Sequence, residues 1–226
     1  MTLQSDSLAS VLRRVQNAAR AAGRDPASIR LVAVSKQKSA DAIRDVATAG
    51  QRDFGESYLQ EALPKIELLR DLKLTWHFIG RLQGNKTRAI AEHFDWVHTV
   101  DRDRIADRLS EQRPGTLPPL NVCIQVQVTP EPQKAGIPPA EVLALARHIM
   151  TLPRLALRGL MCIPPAGEPQ AVRQDFVALA ALARDLQEAG IACDTLSMGM
   201  SGDFEVAIAA GSTLVRVGTA IFGERH

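Results

Sequence analysis

Short runs of consecutive apolar and β-branched residues recur along this chain, and between them apolar residues return every three or four positions. The first run, Leu31-Val32-Ala33-Val34 before Ser35-Lys36, reads as a strand buried on both faces. Comparable runs predict strands over 52–56, 74–80, 95–100, 121–128, 155–163, 195–199 and 214–222. Helical periodicity predicts helices over 40–49, 58–72, 86–93, 102–111, 139–151 and 171–189. A further one should follow Gly199, with Phe204, Val206, Ala207 and Ile208 on one face. Ahead of the first strand, Leu8, Val11, Leu12 and Val15 form one stripe, with Ser7 as the expected cap and Gly23 as the stop. Strand and helix alternation calls for a parallel sheet, and eight units in 226 residues call for closure. The expected fold is α/β, a single (β/α)8 TIM barrel with an extra N-terminal helix, as one domain over 1–226. A doubly wound open sheet is the alternative, but no G-x-G-x-x-G follows the first strand.

Composition narrows the function classes. With 46% hydrophobic residues the chain can fill a substantial core, and its net charge of +2 is dispersed. The pair Arg13–Arg14 falls on a helix and reads as a solvated face, so no nucleic-acid partner is expected. Cys123, Cys162 and Cys193 lie far apart with no C-x-x-C, which fits reduced thiols in a reducing compartment. The N-terminus has no apolar h-region and no stretch is long enough to span a bilayer. A cytoplasmic protein without membrane contact is expected.

In a TIM barrel the chemistry sits at the C-terminal ends of the strands. Lys36 ends the first strand, and period-2 alternation puts it on the side of Val32 and Val34, with Leu31, Ala33 and Ser35 facing the helices. Desolvated there, its amine could attack a carbonyl; a lysine snorkelling into water is the other reading from position alone. On the last strand Arg216 shares its side with Leu214 and Gly218 and should also point into the mouth. Ser201, Gly202, Gly218 and Thr219 fall in the loops after strands seven and eight, where such barrels often bind phosphate; simple tight turns are the alternative. An amine beside a phosphate cradle suits an aldehyde-bearing phosphorylated cofactor.

Other motifs fall short. Gly80 to Thr87 lacks one residue of a P-loop, and Gly199-Met200-Ser201-Gly202 is not G-x-S-x-G. No H-E-x-x-H occurs, so no metal site is expected. His77 reads as a hydrogen-bonded core histidine or as a group facing the cofactor pocket. Asp53, Glu56 and Glu61 are polar candidates near the end of strand two, or solvated surface groups.

The segments LVAVSKQK (31–38), DFGESYLQE (53–61), TWHFIGRLQGNKTR (75–88), FDWVHTVDR (94–102), LPRLALRGLMCIP (152–164) and DTLSMGMSGDFEVAIAAGSTLVRVGTAIFGER (194–225) resemble the YggS/PROSC family of pyridoxal 5′-phosphate (PLP) homeostasis proteins. The resemblance covers nearly all of the chain from residue 31. It implies the barrel of the alanine racemase N-terminal domain, PLP as a Schiff base on Lys36, and Arg216 beside the pyridine nitrogen. It also implies Ser201, Gly218 and Thr219 at the phosphate, and no established turnover, so that no residue is expected to be catalytic. The partners would be PLP and PLP-dependent apoenzymes, with a monomer expected.

An amino-acid racemase is the alternative. Racemases of this type use a second base, a tyrosine from an additional C-terminal domain, whereas the only tyrosine here is Tyr58 at a helix start and the chain ends at His226. A Schiff-base aldolase is a third reading, with only Asp53 or Glu56 as acid/base partners. The chain departs from the family pattern at Ser57, Arg81, Gly84 and Gly202, and Lys134 stands where a second lysine often occurs, a candidate transient acceptor of PLP.

Overall fold

A computed structural model describes residues 3–131 and 135–224. Lys134 therefore lies outside the described residues. Eight strands are all parallel, each pairs with the next, and β8 pairs with β1 to close a barrel. They are β1 (Arg30–Val34), β2 (Asp53–Glu56), β3 (Thr75–Phe78), β4 (Trp96–Val100), β5 (Leu120–Gln125), β6 (Leu155–Met161), β7 (Thr195–Ser197) and β8 (Leu214–Val217). After α1 (Leu3–Ala21), the connections carry α2 (Ala40–Thr48), α3 (Leu59–Leu68), α4 (Thr87–His93), α5 (Asp103–Gln112), α6 (Val142–Met150), α7 (Pro169–Glu188) and α8 (Phe204–Ala209). A last short turn of helix, α9 (Thr219–Phe222), follows β8. The expected barrel and its extra N-terminal helix are both present.

Register explains how the chain sorts its side chains. Leu31, Ala33 and Ser35 point outward, because Ala33 pairs with Phe54 and Val217, which pack in the outer apolar layer under the helices. Phe54, Trp76, Phe78, Val97, Val122, Ile124 and Leu160 continue that layer and are buried. The barrel interior is a separate and mixed space. Its only apolar cluster among the described residues is Trp96, Cys123 and Met161. At its N-terminal end the Arg30 and Arg158 guanidinium groups each lie 5.3 Å from the Trp96 ring centroid.

Helix α1 runs along the outside, against α8, α9 and α2, across the seam where β8 meets β1. Its end is tied down by Arg24, which donates to the Ile208 and Ser212 carbonyls at 2.9 and 2.7 Å. Arg14 pairs with Glu205 of α8 at 2.7 Å and lies 4.6 Å over the Phe204 ring, while Arg13 is exposed.

Two expected boundaries need correction. The first helix begins at Leu3, so Ser7 lies inside it rather than at its cap. The last strand stops at Val217 and not at 222: Gly218 turns the chain, and Thr219–Phe222 is helical because the Ile221 and Phe222 amides bond back to the Gly218 carbonyl. Apolar content over 219–222 cannot separate these states, since both are buried. Among the described residues no helix is long and apolar enough to cross a membrane.

Candidate functional site

The C-terminal mouth of the barrel is where the expected site residues meet, and β1 supplies the first. The strand ends at Val34, so Lys36 lies in the turn just beyond it rather than on its last residue, and it is partly buried. That turn is held from behind. Ser35 extends the ladder by donating its amide to the Gly55 carbonyl, and the Lys38 amide returns to the Ser35 carbonyl at 3.0 Å. Gln37 adopts a φ of 61°, a left-handed value uncommon outside glycine, and its amide donates to Glu61 Oε2 at 2.9 Å.

Beneath the turn, on the helix side of the sheet, Ser35 Oγ donates to Glu56 Oε1 at 2.6 Å. Lys65 of α3 donates to the same oxygen at 2.9 Å and to the Ser35 carbonyl at 3.0 Å. Glu56 is wholly buried, and its Oε2 has no hydrogen-bond partner among the described residues. Burial pushes its carboxyl above the usual 4.5, against the opposing pull of the Ser35 hydroxyl and the Lys65 ammonium. Glu56 and Glu61 are thus braces for the turn that carries Lys36, and Glu56 is no surface group. Lys65 was missed from sequence. Its signal is a lysine one turn on from Ala62, on the apolar stripe of Leu59, Ala62 and Ile66.

Strands β7 and β8 supply the rest. Arg216 sits opposite Val32 in the register and points inward, where it is 4% exposed. Its Nη1 donates to Ser197 Oγ at 2.6 Å and its Nη2 to the Cys162 carbonyl at 3.0 Å. No carboxylate of the described residues is within ion-pair distance of it, and burial lowers its pKa. The two phosphate-loop candidates touch: the Gly218 amide donates to Ser201 Oγ at 3.3 Å. A Cβ on Gly218 would lie 3.2 Å from the Val34 carbonyl, so this loop presses directly on the end of β1. Gly199 has a φ of 95°, which together with the Met200 amide donating to Asp203 Oδ1 shapes the loop before α8. Thr219 opens α9 beside Gly218, and a Cβ on Gly202 would meet only open space.

Val34 and Ile79 close over Gly55 to form an apolar floor below the mouth. Over the β3–β6 half lies a cavity of about 260 Å³, lined by Ile79, Gly80, Arg81, Thr99, Gln125 and Ile163 among others. Gln125 Oε1 is buried there without a hydrogen-bond partner among the described residues.

Asp53 is not part of this mouth. As the first residue of β2 it lies at the opposite end of the barrel, where it accepts from His77 Nε2 at 2.9 Å. His77 is the hydrogen-bonded core histidine of the simpler expectation. Alternation along a strand tells which face a side chain takes, while its height depends on where the strand begins. The three cysteines are buried and unpaired.

The sequence profile of the alanine racemase N-terminal domain family matches residues 6–226. The pyridoxal phosphate homeostasis protein of Pseudomonas aeruginosa is 56% identical over 226 residues, covering 100% of this chain and 97% of that protein. A solved structure of PipY from Synechococcus elongatus, with PLP bound, superposes with a TM-score of 0.86 at 39% identity, over 97% of this chain and 100% of that one. Alanine racemase from Corynebacterium glutamicum superposes with a TM-score of 0.71 over 60% of its own length, at 16% identity, a likeness of fold alone.

Proposed function

This chain belongs to the alanine racemase N-terminal domain family, alongside the pyridoxal phosphate homeostasis proteins, and on that premise we propose that it binds PLP in the barrel mouth and serves PLP homeostasis. Lys36 would hold the cofactor as a Schiff base, with Ser201, Gly218 and Thr219 at the phosphate and Arg216 at the ring. PLP, when bound, supplies an electrophilic aldehyde and an anionic phosphate; the protein supplies the amine, the cradle and the charge.

One observation carries this reading. Arg216 is a buried guanidinium whose two recorded bonds go to neutral oxygens, and an unpaired buried charge costs several kcal/mol. A ligand that brings negative charge and acceptor atoms to this mouth relieves that cost. The contact between Ser201 and Gly218 sets two loops side by side above it, and small residues there let an oxyanion reach backbone N–H groups. The residues present fit the group.

The role proposed is carriage of PLP, with PLP-dependent apoenzymes as recipients and no catalytic turnover. A monomer in the cytoplasm is the matching state, and three unpaired thiols agree with a reducing compartment. The racemase reading has weaker support, since the racemase likeness is one of fold. The test is direct. Purified protein should show a visible absorption band that borohydride abolishes, and peptide mapping should put the pyridoxyl group on Lys36. Label recovered mainly on Lys38, Lys65, Lys86 or Lys134 would refute the assignment.

A further inference from the structure

Below the mouth, the barrel interior is crossed by a line of hydrogen bonds that cofactor binding alone does not require. Asp53 Oδ1 lies 2.9 Å from His77 Nε2, and His77 Nδ1 lies 2.9 Å from His98 Nε2. His98 Nδ1 lies 2.7 Å from Ser197 Oγ, to which Arg216 Nη1 donates at 2.6 Å. His77, His98 and Ser197 are wholly buried, while the Asp53 side chain is 22% exposed.

With both rings neutral, the carboxylate end fixes the direction of the whole line. A guanidinium only donates and an ionised carboxylate only accepts. Arg216 donates to Ser197 Oγ, which can still meet His98 Nδ1 as donor or as acceptor; with both rings neutral, the Asp53 end makes it the donor. His98 then carries its proton on Nε2 and gives it to His77 Nδ1. His77 carries its proton on Nε2 and gives it to Asp53. With both rings neutral, one arrangement satisfies all four contacts, both imidazoles being Nε2–H tautomers. Protonating His77 would reverse its contact with His98, which would have to become the Nδ1–H tautomer and donate to Ser197 Oγ.

The charges around the rings agree. Burial lowers the pKa of His77, against Asp53 and Asp95 and with Arg30. Burial lowers that of His98 well below its usual value, and His77, Arg216 and Arg30 lower it further.

A TIM-barrel interior is ordinarily filled by layers of branched aliphatic side chains. Buried polar groups are a poor filler unless every one is paired, but a fully paired network holds its members in one geometry. We propose that Asp53, His77, His98 and Ser197 are positioning residues, a one-way wire that holds the Arg216 guanidinium in a single orientation beneath the mouth. The inference rests on the reading of Arg216 as a cofactor contact. Its distinctive consequence is remote control. Asp53 starts β2, three residues below its mouth end, about 10 Å at the rise of a strand. A change there reaches the cofactor through the wire.

Two measurements on the full-length protein test this. Long-range proton–nitrogen NMR on the cofactor-free, ¹⁵N-histidine-labelled chain should show His77 and His98 neutral and Nε2-protonated around neutral pH. Asp53→Leu should shift the ring-nitrogen signals of both. On the PLP-loaded protein, Asp53→Leu and Ser197→Ala should displace the cofactor absorption band or the pH at which it titrates. Asp53→Asn, which keeps a carbonyl acceptor, should return the band toward the wild-type position. Ser197→Ala removes one oxygen and adds no bulk, so it serves where Asp53→Leu does not fold.

A merely structural role would lower the melting temperature and leave band and tautomers unmoved, and that result overturns the wire. So does an Nδ1–H or charged His77 in the wild type. If the wild-type protein takes up no PLP, the cofactor reading falls and takes the inference with it. Normal loading with an unmoved band in the folded variants defeats the wire alone.

Discussion

Lys65→Met tests the brace behind Lys36. Lys65 is the only cation among the described residues that bonds Glu56, whose carboxylate is wholly buried, and it also holds the Ser35 carbonyl. Breaking a buried pair by removing one partner costs about 3–5 kcal/mol, because the other charge is left uncompensated. The cost must depend on pH. In the folded protein Glu56 keeps its proton to higher pH than the ordinary 4.5, so within that window the native state binds more protons than the unfolded one. Stability therefore falls as pH rises through the window. Removing Lys65 takes away a bond and a charge that hold the value down, and the window extends upward.

Below the ordinary value Glu56 is neutral in both states, and only the lost hydrogen bond to Ser35 remains, about 1 kcal/mol. Urea unfolding followed by circular dichroism at about pH 4 and about pH 8 should show the penalty growing toward about 3–5 kcal/mol. In melting temperature the alkaline loss is about 6–20 °C for a chain of this size. Glu56→Leu with Lys65→Met should recover most of it, since Ser35 Oγ keeps the Gly55 carbonyl within 3.5 Å. A penalty that is flat with pH, or below about 1 kcal/mol at the alkaline end, would refute the account of this pair.

Pyridoxal without its phosphate should bind about 10- to 150-fold more weakly for each lost bond to the charged group, read by absorption titration; equal affinities would rule out the cradle. Gly199→Ala should cost at least about 2 kcal/mol in urea unfolding, since its Cβ would lie 2.6 Å from that of Ala207 at a φ of 95°. Burial pushes the Cys162 thiol up to about 12 and that of Cys193 to about 11, and raises that of Cys123, so a thiol reagent should modify the native protein only as fast as it unfolds; prompt labelling of one site would contradict this. Exchange at Cα of L- or D-alanine in deuterated water should be negligible, and turnover near the usual enzymic scale of about 10 per second, abolished by Lys36→Ala, would favour the racemase.

Much of the barrel was legible because its signals are local. Leu31 to Ser35 shows its inner and outer faces by alternation, and Arg216 turns inward on the same ground, while Lys36 falls in the turn beyond the strand. The alternation failed as a measure of height. Asp53 was assigned to the mouth, but the β2 strand starts with it, so it belongs to the far end. Contacts between distant strands left no local trace. His98 and Ser197 are 99 residues apart in sequence, and nothing near either one points to the other. Lys65 was legible in principle, as a charge on an apolar stripe, yet its partner Glu56 lies on a different element.

The polar interior also bears on why a carrier can stand empty. A buried cation with no carboxylate in reach is a liability whenever its ligand is gone. In this barrel the Ser197 hydroxyl and the two imidazoles are ordered so that each presents its acceptor toward Arg216 and its donor toward the Asp53 carboxylate. Dipoles aligned head to tail reinforce one another, and the line ends on a negative charge that reaches solvent. Part of the stabilisation that an anionic ligand would give is thus built into the fold. An enzyme that keeps its cofactor through every cycle has little need of this, because its empty state is rarely visited. In the proposed role of taking PLP up and handing it on, that state recurs every time, and there the proposed wire keeps the guanidinium in place for the next molecule.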